Sequence, residues 1–359
     1  MICGSAPPLQ CGVGEYTAQL ARHLHAAGVQ VTLVTGALDG RRTDLEVDPG
    51  VRHCEAVDNW HAASFQRLQR AIKEIDPDIV HVQYPSLGYD GCLPSLIAAW
   101  FRLIRRRPVV VTLHEHIPPH YLRTMLLPLA ASAIVSVRPN FRDGFSKGFS
   151  WGAIGKRFQY IPNASTIPSI QLGDHERAAI RRELGVPEGK RMVVFFGLIY
   201  GRRGVHQVFD IADPDCDFVV IVGGSPGFAK KYADEIVARS REACWRDSIR
   251  LTGFVPDVEA ARVLAAADAV VLPFLDGGGV WNTSIHAARA QGTLVITTST
   301  ARVGFDEKAN MFEAAPSDVG GMRSALRQFS GRRVSPLESK VPRWSDIAEG
   351  HISLFRELL

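Results

Sequence analysis

No apolar run in this 359-residue chain reaches the roughly 18–20 residues a helix needs to cross a bilayer, so a membrane-spanning protein is not expected. The first residues lack the basic stretch and small-residue cleavage site of a secretory signal. The six cysteines, at positions 3, 11, 54, 92, 216 and 244, form no Cys-x-x-Cys pair and no zinc spacing. They read as reduced thiols, and the expected location is the cytoplasm. Short-period repeats and low-complexity segments are missing. So is a Gly-x-Gly-x-x-Gly that follows a strand and is answered by an acid about 20 residues on, which argues against a dinucleotide oxidoreductase. Basic residues are not interleaved with aromatic stacking residues, so nucleic acid is not an expected partner.

What is present suits a large globular protein. Hydrophobic residues make up 46% of the chain, enough for a sizeable core, and the length favours two domains. The net charge of +4 is uneven, with 17 Lys+Arg against 13 Asp+Glu in residues 1–165 and 24 of each in the remainder. The excess sits at Arg102, Arg105, Arg106, Arg107, Arg123, Arg138, Arg142, Lys147, Lys156 and Arg157. The first four follow the apolar run Leu96-Ile-Ala-Ala-Trp-Phe101. That pattern is either ordinary basic charge at a helix C-terminus or a surface for anionic lipid headgroups or a diphosphate-linked lipid, at the inner face of a membrane.

Strand and helix patterns alternate along the chain. Ile2-Cys3 could be the end of a strand between Met1 and Pro8. Gln10-Cys-Gly-Val-Gly-Glu-Tyr-Thr17 reads as a glycine turn, residues 18–27 as a helix closed by Gly28, and residues 29–35 as a strand. Helices are expected over 64–75, 93–107 and 122–131, and strands over 78–83, 109–114, 133–137 and 158–162. Residues 163–173, polar with a proline at 168 and another just before the stretch at 162, are the expected linker. A second series follows, with strands over 192–196, 218–222, 249–252, 269–274 and 294–298. Its helices are expected over 176–184, 204–212, 229–243, 258–267, 282–291 and 317–329. An amphipathic helix over 344–359 ends the chain. Two such α/β series imply two Rossmann-like domains facing across a cleft.

The most informative stretch is Val270-Val-Leu-Pro-Phe-Leu-Asp-Gly-Gly-Gly-Val-Trp-Asn-Thr-Ser284. It reads as a buried parallel strand, a glycine loop and a helix start capped by Asn282, Thr283 or Ser284. Such a loop is either a plain strand-to-helix turn or a place where free N–H groups meet a diphosphate.

Taken together, the chain resembles the GT-B glycosyltransferases, specifically the retaining family four, also called glycosyl transferases group 1. Four stretches carry the resemblance: Gly12-Val-Gly-Glu-Tyr-Thr17, Thr112-Leu-His-Glu115, Phe195-Phe-Gly-Leu-Ile-Tyr-Gly-Arg-Arg-Gly204, and Ala266-Ala-Asp-Ala-Val-Val-Leu-Pro-Phe274 with Ala287-Ala-Arg-Ala-Gln-Gly292. The resemblance implies an α/β fold of GT-B architecture. Residues 1–165 would be the acceptor domain and 174–335 the nucleotide-sugar donor domain, with a helix within 336–359 returning toward the first. It also implies a retaining transfer of a hexosyl group from a nucleoside-diphosphate sugar to a hydroxyl. The chain departs from the family at Leu198 and Arg203, where Arg and Lys are usual, and at Gly279 and Ala287, where two glutamates are usual.

Residue by residue, the resemblance and the strand-end rule for parallel sheets give a candidate site. His114 and Arg203 would be catalytic. The donor would be held by Gly12, Val13, Gly14, Gly197, Arg202, Arg203, Gly223, Gly224, Phe254, Val255, Asp276, Gly277, Gly278, Gly279, Asn282, Thr283 and Ser284. Gln83, Tyr84 and Glu115 would line the acceptor, a glycan, a lipid-linked molecule or a small metabolite. The Asp-x-Asp pairs at Asp76-Pro-Asp78, Asp213-Pro-Asp215 and Asp215-Cys-Asp217 all precede strands and read as turns, so neither a metal nor another cofactor is expected. With no carboxylate placed as a nucleophile, front-face substitution is the expected mechanism. A nucleotide-sugar epimerase and an inactive nucleotide-sugar-binding subunit share the architecture and remain alternatives.

Overall fold

Aliphatic, β-branched runs form the strands, and the central ones are buried on both faces. Val109–Leu113 and Asp217–Val222 have no exposed residue, as a parallel sheet covered by helices requires. The computed structural model describes residues 1–7, 11–37, 50–86, 88–115, 126–139, 153–335 and 341–359. Arg123, Arg142, Lys147, Pro8, Gln10 and the 122–125 part of an expected helix lie outside the described residues. Two compact units result, one of Met1–Asn163 with Arg343–Leu359 and one of Ala164–Pro342.

In the first unit, β1 (Thr32–Gly36) pairs with β2 (Arg52–Val57), and β3 (Val80–Tyr84), β4 (Val109–Leu113), β5 (Ala133–Ser136) and β6 (Arg157–Tyr160) pair in that order. All these pairs are parallel. Ile2 bridges Val34 and Val82 and so joins the two groups of strands; the expected strand end at Ile2-Cys3 is this one bridging residue. The first helix spans Gly12–Ala26 and starts six residues before the expected 18–27. Two glycines and two polar residues argue for a turn by propensity. Packing overrides that, because Gly14 lies so close to the 5–6 backbone that a Cβ would sit 2.9 Å from the Ser5 carbonyl oxygen. The helix Leu93–Leu103 stops short of the expected Arg107. The last helix, Trp344–Leu358, belongs to this unit, with Trp344 edge-on to Tyr16 at 5.2 Å between ring centroids.

The second unit holds a seven-stranded sheet of β7 (Arg191–Phe196), β8 (Asp217–Val222), β9 (Ile249–Gly253), β10 (Ala269–Leu272), β11 (Val295–Thr298), β12 (Gly304–Asp306) and β13 (Met311–Ala314), in the order β12-β13-β11-β10-β7-β8-β9. Only β12 runs antiparallel to its neighbour. The stretch expected as a linker is fastened to this unit. Ser169 donates to the Ala290 carbonyl (2.7 Å), and the Gln291 amide donates to the Pro168 carbonyl (2.8 Å) and accepts from the Ile170 N–H (3.0 Å). The unit boundaries therefore fall at 163/164 and 342/343, not at 165 and 174 or at 335.

The Asp-x-Asp pairs sit where turns were expected. Asp76 ends the helix Phe65–Ile75 in a left-handed conformation (φ 46°) and accepts from Arg105 and Arg107. Asp217 is buried, accepting from Arg191 Nε at 2.6 Å and from the Asp213 N–H at 2.8 Å. Those bonds hold both aspartates at the amino ends of β3 and β8.

Candidate active site

In the second unit, the turns after β7, β8 and β10 converge through their backbones. Gly197 N–H donates to Val222 O (3.0 Å), Gly223 N–H to Gly253 O (3.0 Å), and Leu275 N–H to Arg202 O (3.0 Å). A Cβ on Gly223 would lie 1.9 Å from the Gly197 oxygen. Gly204 is equally tight: its φ is 68°, and a Cβ there would meet the Pro273 oxygen at 1.9 Å. Only glycine allows both that backbone conformation and that approach. These contacts fix where the short 3-10 turn Gly201–Arg203 places its two arginines.

The two arginines differ in their surroundings. Arg202, exposed, forms an ion pair with the equally exposed Asp276 (Nε–Oδ2 2.5 Å). Arg203 is half-buried, and no carboxylate among the described residues pairs with it. Its guanidinium lies 5.2 Å from the Phe274 ring centroid and 5.6 Å from that of Tyr200. Its Nη1 donates to Ser284 Oγ at 3.4 Å and its Nε to the Tyr200 hydroxyl at 3.3 Å. Two aromatic faces and two neutral hydroxyls thus orient a cation whose charge they do not cancel. Such a group is suited to a polyanion, because the fork of N–H donors can bind two oxygens together.

Several expected details are corrected. The helix after the glycine loop spans Thr283–Arg289, ending before the expected Gln291. Asn282 occupies its N-cap position, but the side-chain oxygen accepts from the Gly279 N–H at 2.9 Å and so braces the loop instead of capping the helix. Ser284 is buried, 3% exposed, and its hydroxyl faces Arg203, whereas Thr283 is exposed. Gly277, Gly278 and Gly279 form the loop itself, with Gly278 N–H donating to Thr298 O at 2.7 Å. Gly224 follows β8, with its carbonyl accepting from the Ile199 N–H at 2.9 Å. Phe254, 65% exposed, and Val255 follow β9. The positions where the family has glutamates, Gly279 and Ala287, carry no acid. Ala287 is fully buried, and a Cβ at 279 would meet the Trp281 ring at 2.3 Å.

In the first unit, His114 follows β4 and is half-buried, with Tyr16 edge-on at 4.7 Å between centroids. Its Nε2 is 2.9 Å from Gln83 Oε1, and Gln83 Nε2 is 3.1 Å from His81 Nε2. Burial, followed by the proximity of His351, depresses the His114 pKa to about 3, so its imidazole is neutral. Gln83 is 0% exposed. It was expected to line an acceptor, but its amide is buried and bonded to His114 and His81, so its own polar atoms are taken up within the protein. Tyr84 is half-buried and stacks on Tyr89 at 6.0 Å, while Glu115 is exposed. Gly12, Val13 and Gly14 lie in the first turn of a helix, not in a loop.

Tyr16, His81, Tyr200, Phe274 and His351 were not among the expected site residues. His81 and Gln83 share a strand face by their spacing of two, which is a signal in the sequence. The others are brought in by the fold.

The fold and the arginine-centred turns define a glycosyltransferase of GT-B type. Two family models match the chain, Glycosyltransferase Family 4 over residues 11–164 and Glycosyl transferases group 1 over residues 190–330. The chain belongs to these family-four, group 1 glycosyltransferases. TuaC of Bacillus subtilis (strain 168), whose name places it among teichuronic acid biosynthesis glycosyltransferases, is 22% identical over 352 residues, covering 91% of this chain and 78% of TuaC. Among solved structures, sucrose-phosphate synthase from Thermosynechococcus elongatus has a TM-score of 0.75 at 17% identity and covers 99% of this chain and 98% of its own. Alr3699/HepE of Anabaena, crystallised with UDP, has a TM-score of 0.74 at 17% identity and covers 99% of each chain. Among the described residues, no helix is long and apolar enough to cross a membrane.

Proposed function

We propose that this glycosyltransferase is a retaining, metal-independent enzyme that moves a hexosyl group from a nucleoside-diphosphate sugar to a hydroxyl acceptor. The observation that carries this reading is Arg203, a cation without a carboxylate partner among the described residues, held at the carboxyl ends of β7 and β10 beside Ser284. A diphosphate gains negative charge as its bond to the sugar breaks, and a pre-oriented guanidinium stabilises that charge without reorganising. The complexes of the Anabaena protein with UDP and with UDP-glucose support a nucleotide-sugar donor by likeness of fold.

In this mechanism the sugar C1–O bond to the diphosphate breaks while a C1–O bond to the acceptor forms on the same face. The acceptor proton passes to a phosphate oxygen of the leaving group. Neither Gly279 nor Ala287 supplies an acid or base, which is why the leaving group takes that role. The second unit binds the donor and the first unit binds the acceptor, which belongs to glycan, glycolipid or glycosylated-metabolite synthesis. Incubation with UDP-glucose and a panel of hydroxyl acceptors, followed by NMR of the product, tests this. An axial anomeric linkage and undiminished turnover in EDTA are expected. Inversion, or a glycosyl group trapped covalently on the protein, would refute the mechanism.

The first unit also meets an anionic membrane surface at the end of Leu93–Leu103, in a cytoplasmic protein bound at the inner face. Leu103 and Ile104 are each 70% exposed there, and Arg102 and Arg106 are exposed beside them. Arg105 and Arg107 are tied back to Asp76 and contribute less. Binding to vesicles containing phosphatidylserine should fall as salt rises and should drop in Arg102→Ser/Arg106→Ser. Absent binding at low salt removes this part of the reading.

A further inference from the structure

Behind His114 runs a line of polar side chains that the transfer reaction does not itself use. His114 Nε2 meets Gln83 Oε1 (2.9 Å), and Gln83 Nε2 meets His81 Nε2 (3.1 Å), which also meets Thr112 Oγ1 (2.7 Å). The His81 ring lies 5.3 Å from that of His351 on Trp344–Leu358. His351 Nδ1 is 2.8 Å from the Ile347 carbonyl oxygen. His81, Gln83, Thr112 and His351 are all buried.

The far end of this line sets its direction. A carbonyl oxygen only accepts, so His351 carries its proton on Nδ1, and its Nε2 is a bare lone pair. That Nε2 and His81 Nδ1 are both buried without a hydrogen-bond partner, on neighbouring rings. If the Gln83 amide were turned over, its oxygen would face His81 and require His81 to be protonated on Nε2. His81 Nδ1 would then be a second bare lone pair beside that of His351, an unfavourable arrangement in a low-dielectric interior. With the Gln83 oxygen toward His114, as in the structure, His81 accepts on Nε2 and carries its proton on Nδ1, so the two neighbouring rings do not both present lone pairs. Thr112 Oγ1 meets the same His81 nitrogen, so in the favoured case its hydroxyl donates to the one lone pair that the Gln83 N–H also approaches. Burial holds His81 well below the usual histidine range and His351 at about 4, so both rings are neutral and each has one proton to place.

We propose that Gln83, His81 and His351 are positioning residues that hold His114 as its Nε2–H tautomer, so that a bare Nδ1 lone pair is what His114 presents to a substrate hydroxyl. Nδ1 has no partner among the described residues, and the ring is only half-buried. The substrate class at this point follows from the chemistry. A hydroxyl can donate to the lone pair, whereas a carboxylate or phosphate brings only acceptors and is rejected. The hydroxyl-recognition part rests on the sugar-transfer reading; the tautomer does not.

The test is ring 15N NMR of the full-length protein labelled at histidine, near neutral pH. The expected spectrum shows His114 with a protonated Nε2 and an unprotonated Nδ1. A proton on Nδ1 of His114 overturns the proposal outright, with no need for a variant. In His351→Leu the far acceptor is gone, and His114 should populate both tautomers; an unchanged spectrum from a folded variant removes His351 from the chain. In Gln83→Leu, kcat/KM should fall about 3- to 10-fold, as for one neutral hydrogen bond, together with loss of the single tautomer. Loss of activity with the native tautomer retained would mean a merely structural role. Absence of sugar transfer by the native protein would defeat the sugar-transfer reading while leaving the tautomer measurable.

Discussion

Replacing Arg203 by alanine separates binding from folding at the diphosphate site. In the free protein this side chain makes two hydrogen bonds of 3.3–3.4 Å, longer than a typical N–H···O bond, and two ring contacts worth about 0.5–1 kcal/mol each at partly exposed sites. Its removal should therefore cost the fold no more than about 2 kcal/mol. With a diphosphate present, the lost interaction is charge-assisted and worth about 1.5–3 kcal/mol, or about 10- to 150-fold in affinity. Titration calorimetry with UDP, inorganic pyrophosphate and uridine resolves the two effects. Arg203→Ala should weaken UDP and pyrophosphate by that factor and leave uridine unchanged. Turnover should fall at least as far, because the leaving group is most negative in the transition state. Ser284→Ala, which removes one neutral partner, should cost only about 0.5–1.5 kcal/mol. Equal weakening of UDP and uridine, or no change in any of the three with the fold intact, would show that the phosphate site lies elsewhere.

Asp276→Asn removes a negative charge beside the diphosphate site, so UDP affinity should rise or stay level; a clear loss would show that Asp276 contacts the ligand. Gly204→Ala should destabilise the second unit by more than about 2 kcal/mol in urea unfolding, since it adds a clash to a strained backbone; near-native stability would contradict the close approach to Pro273. His351, neutral with a pKa of about 4 against about 6.5 unfolded, contributes stability that is present above pH 6.5 and is lost as pH falls toward 4. From pH 6.5 to 5 the native protein should lose about 2 kcal/mol more than His351→Leu does, and parallel pH profiles for the two would refute the assignment.

The parts of the fold that were legible in the sequence are those whose cause is local. β4, β8 and β10 are dominated by aliphatic residues and buried along their whole length, and the pattern alone announces them. β2, β12 and β13 are only partly buried and carry polar residues, so their pairing comes from neighbours and not from their own residues. The same division holds at the site. Arg203 and the glycines around it stand together in one motif. The aromatic ring above Arg203, Phe274, is supplied from 71 residues later in the chain, and no spacing rule connects them. Gln83 lies one residue short of the end of β3, near where a ligand contact would be, yet its side chain is buried; a position near a strand end alone does not say which way a side chain faces.

What makes the proposed diphosphate site precise is backbone, so the placement of its cation does not depend on acids at 279 and 287. The Arg202–Asp276 pair links the turns after β7 and β10, but both partners are exposed, so it contributes at most about 1 kcal/mol. The link that cannot slacken is the packing of Gly204 against the Pro273 carbonyl, reinforced by the Leu275-to-Arg202 hydrogen bond. Arg203 is next to Gly204 in the chain, so this backbone contact places its Cα directly. The two aromatic rings then only have to orient the guanidinium. A site assembled this way keeps its cation in place whether or not acids stand at 279 and 287. On the proposed reading, the lack of acids at 279 and 287 alters the charge available near the sugar and leaves the placement of Arg203 unchanged.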